Sequence, residues 1–110
     1  MPDQRAEPGE LELAIVTMTF DATDAERLVP VLAKYVVLSR GHAGCRNIDL
    51  CASVTTANRF VIIQKWDSMD AQRAHFDSAE MVEMAQSCAG LLIAPPTIDL
   101  LDGISAHDLA

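Results

Sequence analysis

The chain has 110 residues, half of them apolar, and a formal charge of −8 from 16 acids against 8 bases. That length supports one domain, and an acidic surface with no basic run repels phosphate backbones and anionic lipid, which excludes nucleic acid and membrane surfaces as partners. A domain this small buries only about two-thirds of its unfolded surface, so the high apolar share points to a second subunit covering part of it.

The opening MPDQRAEPGE carries Asp3, Arg5 and Glu7 and no apolar core, unlike a signal peptide. No later stretch approaches the roughly 20 apolar residues of a membrane span. Cys45, Cys51 and Cys88 are odd in number and show no CxxC spacing. Cys45 and Cys51 fall in one predicted strand, about 20 Å apart, too far for a disulfide. Reduced thiols and a cytoplasmic location are the expectation.

Residues 1–10 read as a flexible tail, with Pro2, Pro8 and Gly9 among charges. Leu11 to Phe20 is apolar and β-branched and is predicted as a strand apolar on both faces. Asp21 to Asp24 offers capping groups for a helix to about Arg40, with Leu28, Leu32, Tyr35, Val36 and Ser39 as its inward stripe. Pro30 either delays the regular helix to about Arg27 or kinks it. The glycines of Gly41-His42-Ala43-Gly44 end it through a left-handed cap. Cys45 to Ser53 alternates, with Cys45, Asn47, Asp49 and Cys51 on one side and Ile48, Leu50 and Ala52 on the other. A short loop leads back into a strand from Arg59 to Trp66. Asp67 or Ser68 caps a second helix. Ser78 recaps it before an apolar stripe of Met81, Met84, Ala85 and Cys88. Pro95-Pro96 precedes a last strand, Thr97 to Leu101, and residues 103–110 read as a second tail.

The order β-α-β-β-α-β over residues 11–102 is that of an α+β, ferredoxin-like domain, an antiparallel sheet with its helices on one face. Phe60-Val61-Ile62-Ile63 is apolar on both faces, so the open face of the sheet needs a cover, and a homodimer through that face is the economical one.

Gly44-Cys45 opening a strand, the Asp49-Leu50 pair, Asn58-Arg59-Phe60, Trp66 closing its strand and Ala74-His75 on the next helix together resemble the antibiotic biosynthesis monooxygenase family. The resemblance covers about Leu13 to Leu101. It implies a dimeric α+β barrel with a pocket between sheet and helices in each subunit, and an oxidoreductase activity. Among relatives are small oxygenases that oxidise polycyclic phenols without metal or flavin, and haem-degrading enzymes. Family strands often end in Glu-x-Trp, whereas this one ends Gln64-Lys65-Trp66. The asparagine that haem-degrading relatives carry on the first strand is missing at Val16-Thr17.

His75 is the candidate proton acceptor. On one continuous helix it shares a small apolar stripe with Ala71, Ala79 and Val82, where a half-buried imidazole of near-neutral pKa could take a proton. The alternative is a structural histidine bonded to a neighbouring loop. Trp66 is the second catalytic candidate, as a flat face for an aromatic substrate, or else a core anchor. Gln64 and Phe60 share its face and are candidate substrate contacts. Asn47 and Asp49 join them if the hairpin pairs residues summing to 111, and leave them if it slips by one. His42, His75 and His107 show no metal-ligand spacing, and no phosphate loop or nucleophile motif is present. The sequence therefore points to a small aromatic, phenolic or anthrone-like substrate and dioxygen, with no metal and no cofactor. The alternatives are a non-catalytic dimer holding a small molecule or haem, and an isomerase of quinones or aldehydes.

Overall fold

The structure is a computed structural model that describes residues 13–106. The N-terminal tail, Leu11, Glu12 and His107 fall outside the described residues. Four strands and three helices follow in the order β1 (Ala14–Asp21), α1 (Ala25–Ser39), β2 (Cys45–Ala52), β3 (Arg59–Trp66), α2 (Met69–Phe76), α3 (Ala79–Ser87) and β4 (Thr97–Asp102). All pairings are antiparallel and the sheet order is β2-β3-β1-β4, so the predicted α+β, ferredoxin-like fold is what forms.

β1 buries Ala14, Val16, Met18 and Phe20 and turns Ile15, Thr17 and Thr19 to the opposite, partly open face. On β3 the inward set is Ile62, Gln64 and Trp66. α1 lays its predicted stripe, Leu28, Leu32, Tyr35, Val36 and Ser39, onto this face. These residues recur at three- and four-residue steps, which is why one side of the helix is dry.

α1 begins at Ala25 rather than Arg27, capped by Asp24 Oδ1 accepting from Arg27 N, and it runs through Pro30. Pro30 cannot donate to the Glu26 carbonyl, but both residues are exposed, so water can take that bond. The expected glycine cap is also corrected. Arg40 ends α1 in right-handed geometry with its N–H on Val36 O, and the left-handed glycine is Gly44, with φ of 82°. A Cβ there would lie 2.4 Å from Ala71 Cβ and 2.8 Å from an Asp67 carboxylate oxygen. Gly44 thus lets the start of β2 approach α2, an approach closed by Asp67 N donating to Gly44 O.

Ser68, not Asp67, caps α2, accepting from Ala71 N, and Ser78 caps α3, accepting from Met81 N. The break falls at Asp77–Ser78, two residues past His75, so Ala79 and Val82 do not continue its stripe, and Val82 is exposed. Met84 and Cys88 are the buried part of the α3 stripe, whereas Ala85 is exposed.

The hairpin register corrects the placement of Asn47 and Asp49. From Ala52↔Phe60 to Asn47↔Lys65 the pairs sum to 112, and a bulge between Cys45 and Asn47 restores Cys45↔Trp66. Asn47 and Asp49 therefore oppose Lys65 and Ile63 and point away from Gln64, while Cys45 packs against the core with Trp66. The turn sets this register: Ser53 Oγ accepts from Thr55 N and Thr56 N, and Asn58 adopts φ of 61°.

Candidate functional site

Trp66, Gln64, Tyr35 and His75 form the buried polar centre between the sheet and α1, with relative exposures of 0%, 1%, 2% and 3%. β3 supplies Trp66 and Gln64, two residues apart on its inward face. α1 supplies Tyr35, and the last turn of α2 supplies His75. The Trp66 and His75 rings stack with centroids 4.5 Å apart, and the His42 ring meets His75 edge-on at 4.8 Å.

The directions follow from the two ends of the line, the indole of Trp66 and the carboxylate of Glu80. An indole N–H can only donate, so its partner at 2.9 Å is Gln64 Oε1, which turns Gln64 Nε2 toward Tyr35 Oη at 2.8 Å. Tyr35 Oη accepts that bond, and because the Glu80 carboxylate at the far end can only accept, with one proton on each ring the Tyr35 hydrogen goes to His75 Nε2, 2.6 Å away. His75 Nε2 is then an acceptor and the neutral ring carries its proton on Nδ1. That proton points to His42 Nδ1 at 3.4 Å, the longest link. His42 in turn holds its proton on Nε2 and donates to Glu80 Oε1 at 2.9 Å. One line of bonds with a single polarity runs from the core tryptophan to a carboxylate about one-third exposed at the start of α3.

Burial is the main reason that His75 is pushed down to about 4, with His42 adding to it and Glu80 opposing it. Its imidazole is neutral at ordinary pH, far from the near-neutral pKa expected of it. Burial likewise pushes Tyr35 up to about 12, against the opposing hydrogen bonds of Gln64 and Ser39. Ser39 Oγ is fully buried one turn along α1 and has no partner of good geometry among the described residues. Glu80 is held below the usual carboxylate range, first by its own backbone N–H and then by His42.

The predicted site residues separate. Trp66, Gln64 and His75 meet, but they meet each other: the Trp66 face is covered by His75, and both ends of the Gln64 amide are bonded, its nitrogen also reaching Met18 Sδ at 3.2 Å. Phe60 is half-buried opposite Phe20 and packs on the core. Asn47 and Asp49 line a polar hollow of about 400 Å³ at the β2 edge with Arg40 and Arg46, on the far side of that strand. An apolar groove of about 280 Å³ lies instead between α1 and α3, walled by Val31, Tyr35, Leu38, Glu80 and Met84, with the Lys34–Glu83 ion pair beside it. Two members of the hydrogen-bonded line, Tyr35 and Glu80, are therefore also groove residues.

Sequence reasoning passed over Tyr35, His42 and Glu80. Tyr35 carried a usable signal: it is the chain's single tyrosine and sits on a buried helical stripe, where its hydroxyl has to find a polar partner. His42 and Glu80 carried none, because a loop and a helix start meet there only through the tertiary fold.

Fold and site define a small α+β domain with its helices on one face of the sheet and a histidine–tryptophan centre beneath them. The family model for antibiotic biosynthesis monooxygenases matches residues 13–87, and the chain belongs to that family. Among solved structures, a Nitrosomonas europaea protein provisionally named an antibiotic biosynthesis monooxygenase aligns with TM-score 0.80 at 16% identity, over 89% of this chain and 96% of that one. A Caulobacter crescentus protein with the same provisional name aligns at 0.78 and 18%, over 86% and 92%. A Pseudomonas aeruginosa protein aligns at 0.73 and 26%, over 87% and 97%. No curated protein matches the sequence.

Proposed function

We propose that this protein oxidises a small aromatic substrate of the phenol, quinol or anthrone type with dioxygen, without a cofactor, as a homodimer in the cytoplasm. Family membership supports an oxygenase, and the carrying observation is the juxtaposition of an apolar groove with a buried phenol–imidazole pair through Tyr35. A flat, apolar substrate lies in the groove against Tyr35. It loses a proton toward the Tyr35–His75 pair, and the resulting carbanion or enolate reacts with dioxygen. The groove's contribution is to desolvate and orient the substrate. His75 acts here through Tyr35 rather than by touching the substrate, and Trp66 and Gln64 hold both groups in place. Oxygen consumption with anthrone as probe tests the reading. Wild type should consume oxygen and His75→Ala should lose most of that rate. Equal uptake by both proteins sinks the role of His75, and none by wild type sinks the activity.

A second reading is favoured by the filled corner: with Trp66, Gln64 and His75 satisfied by one another, the groove could hold a small molecule or haem without turnover. A Soret shift on titration with haemin, together with no oxygen uptake, would select it.

A further inference from the structure

We propose that Tyr35, His75, His42 and Glu80 form a proton shuttle for the groove, with His42 as the relay and Glu80 as the solvent-side terminus. The inference rests on the oxygenase reading for what enters the groove, but the shuttle itself follows from hydrogen-bond geometry. With a donor-only indole at one end, an acceptor-only carboxylate at the other and one proton on each ring, every bond points the same way, from Tyr35 toward Glu80. A purely structural network has no need of an end at a carboxylate open to water. Here the interior end is buried and the outer end is about one-third exposed.

The step balances as a chain of proton hops with no change of oxidation state. The substrate's acidic X–H bond breaks and its hydrogen bonds to Tyr35 Oη, while the electron pair stays on the substrate. Tyr35 releases its own hydrogen to His75 Nε2, His75 releases that on Nδ1 to His42 Nδ1, and His42 releases that on Nε2 to Glu80. Neither ring carries a net charge at the end, which matters because a charged His75 is costly in this setting and a free Tyr35 phenolate equally so. Only the ends change charge, the substrate becoming an anion and Glu80 a neutral acid. The line run backwards returns the proton to the anionic oxygenated product and restores both tautomers. Glu80 is placed for the terminus: its carboxylate accepts from His42 and is about one-third exposed, so a proton delivered to it can pass on to water. His42 and Glu80 are positioning residues, since neither has to touch the reacting atoms.

The test uses E80Q, whose amide oxygen can still accept from His42 but cannot take a proton. Two measurements are made on the full chain. The first is the exchange with solvent of the Tyr35 hydroxyl and His75 ring protons, followed by NMR without any substrate. The shuttle requires exchange at least about tenfold slower in E80Q at an unchanged melting temperature, and equal exchange rates overturn it. The second is oxygen uptake with anthrone, where kcat should fall at least about tenfold with KM unchanged, within the range of proton-transfer contributions. A fall in KM alone, or none in kcat, overturns the catalytic use of the shuttle. If wild type consumes no oxygen, the oxygenase reading fails and the exchange measurement alone decides the shuttle.

Discussion

Because Trp66 can only donate, it fixes the Gln64 amide, which then donates to Tyr35 Oη. Removing the Tyr35 hydroxyl therefore leaves Gln64 Nε2 with only the weak sulfur acceptor of Met18 and His75 Nε2 with no donor. Y35F is expected to lose about 1–3 kcal/mol of stability in urea denaturation, the cost of buried groups left unpaired; an unchanged midpoint would mean that the chain of bonds is not formed. His75 makes stability depend on pH. Its folded pKa, about 4, lies below the ordinary value of 6.5, so between those values the unfolded chain binds a proton that the folded one refuses. Stability is then full above about pH 6.5 and falls as pH drops toward 4, by on the order of 3 kcal/mol. Unfolding midpoints across this range should show that slope in wild type and lack it in a His75→Asn variant.

At the scale of elements, the site depends on how short pieces are stopped and joined. The α2–α3 break puts His75 in a last turn and Glu80 in a first turn, so both come within reach of the His42 loop. Ser78 makes the break by capping α3, and Ser78→Ala is expected to cost about 1 kcal/mol, visible as a lower melting temperature. Gly44 is the tighter constraint. It needs a left-handed backbone and has no room for a Cβ against Ala71 and Asp67. Gly44→Ala should destabilise by more than about 2 kcal/mol, and a melting temperature within a degree or two of wild type would refute that account.

At the scale of the whole molecule, the helices leave one face of the sheet bare. Ile63 and Leu101 are each more than a third exposed there, while Ile98 and Leu100, opposite Met18 and Val16, are exposed on the other face of the edge strand β4. Ile15, Ile63 and Leu101 share the helix-free face. The proposed homodimer would bury that face, and burying apolar area is the general drive to association. Light scattering should give a dimer mass for wild type and a monomer mass for Ile63→Asp. A monomeric wild type at micromolar concentration would remove the dimer from the proposal.

The order of elements, the inward stripe of α1 and the bounds of β3 were legible in the sequence, because each depends on local periodicity and on serine, aspartate and glycine chemistry that acts within a few residues. Family membership was legible for the same reason, as it rests on the ordered set from Gly44 to His75. The register of β2 was not, since a turn held by Ser53 and a bulge at Arg46 decide between two faces that look equally possible in the chain. The histidine–tryptophan corner that began as an open site closed on itself, because α1 brought in Tyr35 from 40 residues away in sequence. Composition and spacing could place Trp66, Gln64 and His75 near one another. Only the packing of α1, α2 and α3 on the sheet determined that they satisfy each other's hydrogen bonds and that the line they start ends at Glu80, since such bonds join groups distant in sequence and leave no local pattern.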